Sequence, residues 1–189
     1  MRRLAQELGV GAMTLYSYVE DKDELLELMA DRVVGEFVVP ELPGDWREAL
    51  RAIARRTRTA MLRHHWLVAA LVAGHPRPRR VGPNALRHFE QSLQAVAGLD
   101  VPHERLFELI NAVDNFVVGS ILDEVEEWRH PRDPADELGH LRGLIESGDF
   151  PLLARTFEAR GHRPDPETRF ELGLEWLLSG VAAELDPRG

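Results

Sequence analysis

Cysteine is absent from the 189-residue chain. That absence excludes disulfide frameworks, thiolate zinc sites and cysteine nucleophiles together. Lysine is nearly absent: Lys22 stands alone among the 23 basic residues, and the rest are arginine. With the many Ala, Gly and Pro, this is a compositional bias of the kind a GC-rich genome leaves. No apolar run reaches the roughly 18 residues that a bilayer-spanning helix needs. No apolar signal segment opens the sequence, so a cytoplasmic protein is expected. The net charge of −9 gives no general attraction for nucleic acid, so any DNA contact needs a small local surface. What is present is an ordinary hydrophobic fraction of 44%, enough for a packed globular chain.

Nearly every segment carries helical periodicity, and strand alternation bounded by turns is hard to find. Residues 2–8 place Leu4, Ala5 and Leu8 on one helical face, and Gly9 follows as a helix-ending residue. Residues 12–18 form a second short helix, with Met13, Leu15 and Tyr16 between small polar positions. Asp21 with Glu24 is a capping-box start for a helix from Lys22 to about Val38. Pro40, Pro43 and Gly44 break that helix. Asp45 with Glu48 opens a helix running to Arg63, and Trp66 to Ala73 is a short apolar one. Residues 75–80 are a loop. Helices are then expected over 84–97, from Pro102 to Trp128, over 135–146 and 150–160, and from Asp165 to Leu185. The fold class is all-α. A domain boundary at Pro40 to Gly44 gives units of residues 1–43 and 44–189.

The first 22 residues carry the most information. A short helix, a glycine turn and a second short helix have the shape of a helix-turn-helix. Such a unit packs its first helix on its second through Leu4, Ala5 and Leu8. It also turns small hydrogen-bonding side chains toward the major groove. Thr14, Tyr16, Ser17 and Tyr18 suit that role, because hydroxyls meet phosphates and base edges. Tyr16 has an alternative as a core aromatic of the small unit.

The run LAQELGVGAMTLYSYVEDKDELLELMADRV resembles the DNA-binding region of the TetR family of bacterial transcriptional repressors. The remainder is similar to the tetracycline-repressor-like branch, through NAVDNFVVGSILDEVEE and the terminal RFELGLEWLLSGVAAEL. The resemblance implies that helix 11–18 is the recognition helix. Thr14, Tyr16 and Tyr18 would then face DNA, and Lys22 would meet a phosphate at the next helix start. Arg2 and Arg3 would add phosphate contacts. The family pattern has one further helix upstream, whereas this sequence starts inside the first helix of the motif. The expectation is that the true start lies upstream, or that this form binds DNA poorly with Leu4 and Leu8 partly exposed.

The resemblance also implies that residues 44–189 form a helical bundle that binds a small, largely apolar molecule and dimerises. Ile53, Thr57, Met61, Leu71, Phe89, Ser92, Phe107, Asn111 and Asn115 fall on faces compatible with a pocket lining. Asn111 and Asn115 share a stripe with Gly119, and their amides need either neighbouring helices or a ligand. Tetracycline repressors hold a magnesium–drug complex through two histidines. The matching positions fall on Val34 and near Leu71, so no metal and no cofactor is expected here. The adjacent pair His64 and His65 diverges on a helix and is expected at the surface. Arg51, Arg55 and Arg58 share a face, best read as one of two complementary charged faces or as a solvated helix side with weak ion pairs.

The last helix is apolar over more than one face. Leu172, Trp176, Leu177 and Val181, with Val118 and Leu122 of the long helix, are the expected dimer contacts. The overall expectation is a homodimeric, ligand-responsive repressor released from operator DNA by its ligand. The alternative is a dimeric small-molecule-binding protein that has lost DNA recognition. An enzyme is not expected, because no catalytic constellation, phosphate loop or metal motif is found.

Overall fold

The computed structural model describes residues 1–72, 81–129, 148–160 and 164–185, leaving aside the side chains of 69, 71, 72 and 157–160. Every regular element among the described residues is a helix: α1 (Arg2–Glu7), α2 (Ala12–Tyr16), α3 (Lys22–Val34), α4 (Trp46–Arg63), α5 (His65–Val72), α6 (Pro83–Val96), α7 (His103–Arg129), α8 (Pro151–Arg160) and α9 (Pro166–Leu185). The expected loop at 75–80 and the helix at 135–146 lie outside the described residues. None of the described helices is long and apolar enough to cross a membrane.

Local signals start and stop these helices largely where expected. Gly9 takes φ +68° after α1. The Val10 amide returns to the Ala5 carbonyl at 2.9 Å, and that of Gly9 to Gln6 at 3.1 Å. This pair of bonds is the six-to-one and five-to-two closure that a left-handed residue permits. Asp21 accepts from the Glu24 amide at 2.8 Å. The returning arm of the box departs from expectation: the Glu24 carboxylate takes the amide of Glu20, one residue before the cap. Asp45 accepts from the amides of Arg47 and Glu48, each at 3.0 Å, while the Glu48 carboxylate pairs with Arg51. Two helices are shorter than periodicity suggests. α2 stops at Tyr16, with Tyr18 in a following turn, and α3 stops at Val34 with turns through Phe37.

The chain divides into two compact units, residues 1–117 and 118–189. In the first, α1 packs on α2, and α6 packs on both α3 and α4; α3 and α4 also touch each other, and α4 touches α5. Leu50, Ile53, Ala54 and Met61 of α4 are buried, with Leu67 and Val68 of α5 and Leu106, Ile110 and Val113 of α7. Their three- and four-residue spacing on α4 is the helical period that marks a core face. In the second unit Ile121, Val125, Phe170, Leu174 and Leu178 are buried. Arg169 there reaches Glu127 at 2.6 Å and Asp123 at 3.6 Å.

Two polar contacts join α3 and its exit to α6. The Asp31 carboxylate accepts from the Asn84 amide at 3.1 Å, the Ala85 amide at 3.0 Å and the Asn84 side chain at 3.0 Å. It therefore caps α6 from another helix, where two free amides and the positive end of the helix dipole favour an anion. The Gln91 side chain brackets residue 39. Its oxygen accepts from the Val39 amide at 2.8 Å, and its nitrogen donates to the Val39 carbonyl at 2.7 Å.

Gly82 precedes α6 because any Cβ there would fall inside the Asp31 carboxylate. Asp31→Ala is expected to lower the unfolding free energy by about 1–3 kcal/mol, read from urea denaturation. Gly82→Ala should act in the same direction. Gly44→Ala, whose Cβ would meet nothing within 4 Å, should leave stability nearly unchanged.

Candidate functional site

The reading unit is small and mostly exposed. Of its apolar residues, Ala5 and Val19 are fully buried, and Leu4 and Leu15 are half-buried. Thr14 and Ser17 are exposed, and the Ser17 hydroxyl donates to the Thr14 carbonyl at 2.7 Å. Tyr16 is 44% exposed and Tyr18 80%, so neither phenol is a core aromatic. Met13 is also 80% exposed. The sequence reading did not name it as a DNA contact because a thioether looks apolar in any pattern. An exposed Met on such a helix can meet a thymine methyl. Arg2, Arg3 and Lys22 are exposed as well. The structure thus brings Thr14, Tyr16 and Tyr18 together at α2 and its exit, with Lys22 opening α3.

The expected ligand lining divides into two sets. Ile53, Thr57 and Met61 of α4 and Ser92 of α6 are buried. The Ser92 hydroxyl donates to the His88 carbonyl at 3.1 Å. Phe89 is half-buried against Phe107, with ring centroids 5.0 Å apart. Phe107, Asn111 and Asn115 lie on the exposed side of α7. This corrects the inward placement of all three, whose sequence stripe is offset from the buried stripe Leu106, Ile110, Val113 and Val117. Water satisfies an exposed amide, so neither asparagine requires a ligand. The Leu71 side chain lies outside the described residues. An open groove of about 590 Å³ runs along Val38, Leu86, Arg87, Phe89, Glu90, Gln91 and Gln94 and shares only Phe89 with the expected lining.

Other expectations at the surface are also corrected. His64 does not merely face solvent: its Nε2 lies 2.9 Å from Glu36 Oε1. Arg63 reaches the same carboxylate at 3.1 Å, and Arg56 donates to the Glu36 carbonyl at 2.8 Å. His64 and Arg63 hold the Glu36 carboxyl below its usual range. The arginine face of α4 is not wholly solvated, because Arg58 is buried and Arg51 is half-buried beside Glu48. The dimer candidates are uncovered in the single chain. Trp176 is 68% exposed and Leu172 44%, while Val118, Leu122, Leu177 and Val181 are half-buried. Among the described residues, no group of three or more His, Asp or Glu gathers into a metal site.

Burial perturbs two ionisable groups of the first unit. It pushes the Asp114 carboxyl of α7 up to about 6 and lowers the His88 imidazole of α6 from its usual range. Asp114 binds its proton more tightly folded than unfolded. Stability therefore falls as pH rises from about 4 toward 6, and the penalty is complete above that. His88 acts oppositely: its contribution is present at neutral pH and lost on acidification. Asp114→Asn is expected to stabilise the fold at pH 7 by roughly 2–3 kcal/mol and to change it little at pH 4, by urea unfolding at both pH values.

Comparison with known proteins bears on the whole chain. The family model of the tetracycline-repressor-like C-terminal domain matches residues 39–185. An HTH-type transcriptional regulator of Saccharopolyspora erythraea is 35% identical over 189 residues, covering 97% of this chain and 75% of that protein. The HTH-type transcriptional repressor DrrR1 of Streptomyces coeruleorubidus is 34% identical over 197 residues, covering 96% of this chain and 68% of that one. Among solved structures, the Streptomyces coelicolor TetR family protein ActR in complex with actinorhodin superposes with a TM-score of 0.78. It is 31% identical, covering 98% of this chain and 87% of that one. With this helix-turn-helix and helical domain, the family-model match and the relatives show that the chain belongs to the TetR family of transcriptional regulators.

Proposed function

We propose that this regulator is a cytoplasmic homodimeric repressor that reads operator DNA through α2 and leaves it when a small, largely apolar molecule enters its helical bundle. The observation that carries this reading is the exposed cluster of Thr14, Tyr16 and Tyr18, flanked by Lys22, on a unit whose next helix is clasped to the bundle. In this reading residues 1–43 bind DNA and include the linking helix α3, and residues 44–189 bind ligand and dimerise. Phenol and hydroxyl groups at α2 would contact base edges and phosphates, and Arg2, Arg3 and Lys22 would hold the backbone. Ile53, Thr57, Met61, Leu71, Phe89 and Ser92 remain the proposed lining. Two relatives support the assignment by name: DrrR1 is a repressor, and ActR is described in complex with actinorhodin.

Release follows from the packing. α6 holds α3 through Asp31 and its exit through Gln91. A ligand that displaces α6 would move α3, and with it the spacing of two reading heads on DNA. The ligand does this only if it binds one arrangement better than the other.

Fluorescence anisotropy with the DNA upstream of the regulator's own gene, at fixed salt, tests DNA binding. Thr14→Ala or Tyr18→Ala should weaken binding about 10-fold or more. Lys22→Ala should lessen the slope of log affinity against log salt by about one unit. Binding that no operator fragment elicits would favour the dimeric ligand-binding protein without a DNA role. Trp176→Glu should shift the dimer toward monomer in sedimentation velocity, because a charge would then sit in the proposed interface.

A further inference from the structure

Two buried side-chain atoms among the described residues have no hydrogen-bond partner: Oγ1 of Thr57 and Nδ1 of His88. Thr57 is 6% exposed and sits in the middle of α4. His88 belongs to α6, the helix packed on α4, with its ring set edge-on to Phe37. Buried polar groups are nearly always paired, and an orphan weakens the fold. The buried hydroxyl of Ser92 follows that rule by donating to the His88 carbonyl at 3.1 Å, and even the exposed Thr59 donates to the Arg55 carbonyl at 2.8 Å. Thr57 forgoes the equivalent bond one turn back although its helix offers the carbonyl.

We propose that Thr57 and His88 are the polar anchors of the effector and select an uncharged, mainly apolar molecule bearing a hydroxyl or carbonyl oxygen. The inference rests on the ligand-binding reading above and adds the chemistry of the ligand. The lining around the anchors is apolar, with Ile53, Met61 and Val96 buried on the same two helices. Burial disfavours the charged imidazole, so near neutral pH His88 offers one N–H donor and one lone pair. Thr57 likewise both donates and accepts. Such a pair suits a neutral oxygen and gives no counter-charge to an anion or a cation. Both orphan atoms are closed off from solvent, so a ligand reaches them only by moving a helix that covers them. Movement of α6, the helix that carries His88 and holds Asp31 and Val39, ties recognition of the oxygen to movement of α3.

Matched probes test this: 1-naphthol, naphthalene and 1-naphthoate, titrated into the regulator at pH 7.5 by isothermal calorimetry. The wild type should bind 1-naphthol about tenfold more tightly than the other two. Thr57→Val and His88→Phe should each erase that preference while leaving naphthalene binding in place. Without ligand, Thr57→Val should raise Tm, because it removes an unpartnered hydroxyl at nearly constant volume. A fall in Tm would mean that a buried water already satisfies the hydroxyl, which overturns the proposal. Equal binding of all three probes, unchanged in the variants, also overturns it and leaves the ligand reading standing. Preference for 1-naphthoate overturns the uncharged class. Binding of no probe overturns the inference together with the ligand reading beneath it.

Discussion

The strongest coupling between the reading unit and the rest of its compact unit is the Asp31 carboxylate at the start of α6. One charge on α3 serves two backbone amides and a side-chain amide from a segment more than fifty residues away in sequence. Hydrogen bonds to an ionised group are about twice as strong as neutral ones, so this contact outweighs the half-exposed ion pairs at Glu36. The Gln91 bracket on Val39 adds a second fixed point past the end of α3. Two points define a direction. The linking helix therefore has its orientation set by α6, not by its own short contact with α4.

The interior of the first unit is less settled than its helix ends. Caps at Asp21 and Asp45 are satisfied, and core positions on α4 follow a clean period. The same core holds an unpartnered threonine hydroxyl, an unpartnered imidazole nitrogen and a desolvated carboxyl. Each lowers stability in the form described, and each is relieved by a rearrangement that supplies a partner or water. A regulator needs two arrangements of similar free energy, and a core made wholly of matched apolar surface would favour one too strongly. Unsatisfied groups of this kind favour any arrangement that gives them a partner. Selection commonly tolerates such local costs at functional sites.

Much of this was legible in the amino-acid order because it is local. Gly9, Asp21 and Asp45 mark helix ends through bonds spanning two to five residues, and α4, α6 and α9 follow from apolar period alone. The exposure of Trp176 was legible too, since the last helix is apolar over more than one face, and that of Tyr18 was implied by the resemblance. What was hidden depends on partners distant in sequence. Asp31 reads as one more surface acid of α3 until Asn84 and Ala85 come to meet it. His64 reads as a surface residue until Glu36 folds back over α4. Asn111 and Asn115 were placed inward although, at 3.6 residues per turn, their stripe lies across α7 from the buried Leu106, Ile110, Val113 and Val117, because apolar Phe107 sits on that side too. Thr57 read as pocket lining, but its unpartnered hydroxyl gave no signal, because a missing bond cannot be seen in a sequence.

Tyr16 and Tyr18 are the only tyrosines in the chain, and both are exposed at α2 and its exit. All four tryptophans lie elsewhere, from Trp46 onward. The two aromatic chromophores of this regulator are thus partitioned by segment. Fluorine substituted on tyrosine yields two resonances that arise from the helix-turn-helix alone, and indole emission arises from the helices beyond it. One molecule, with no change of sequence, carries separate spectroscopic channels for the two ends of whatever communication runs along α3.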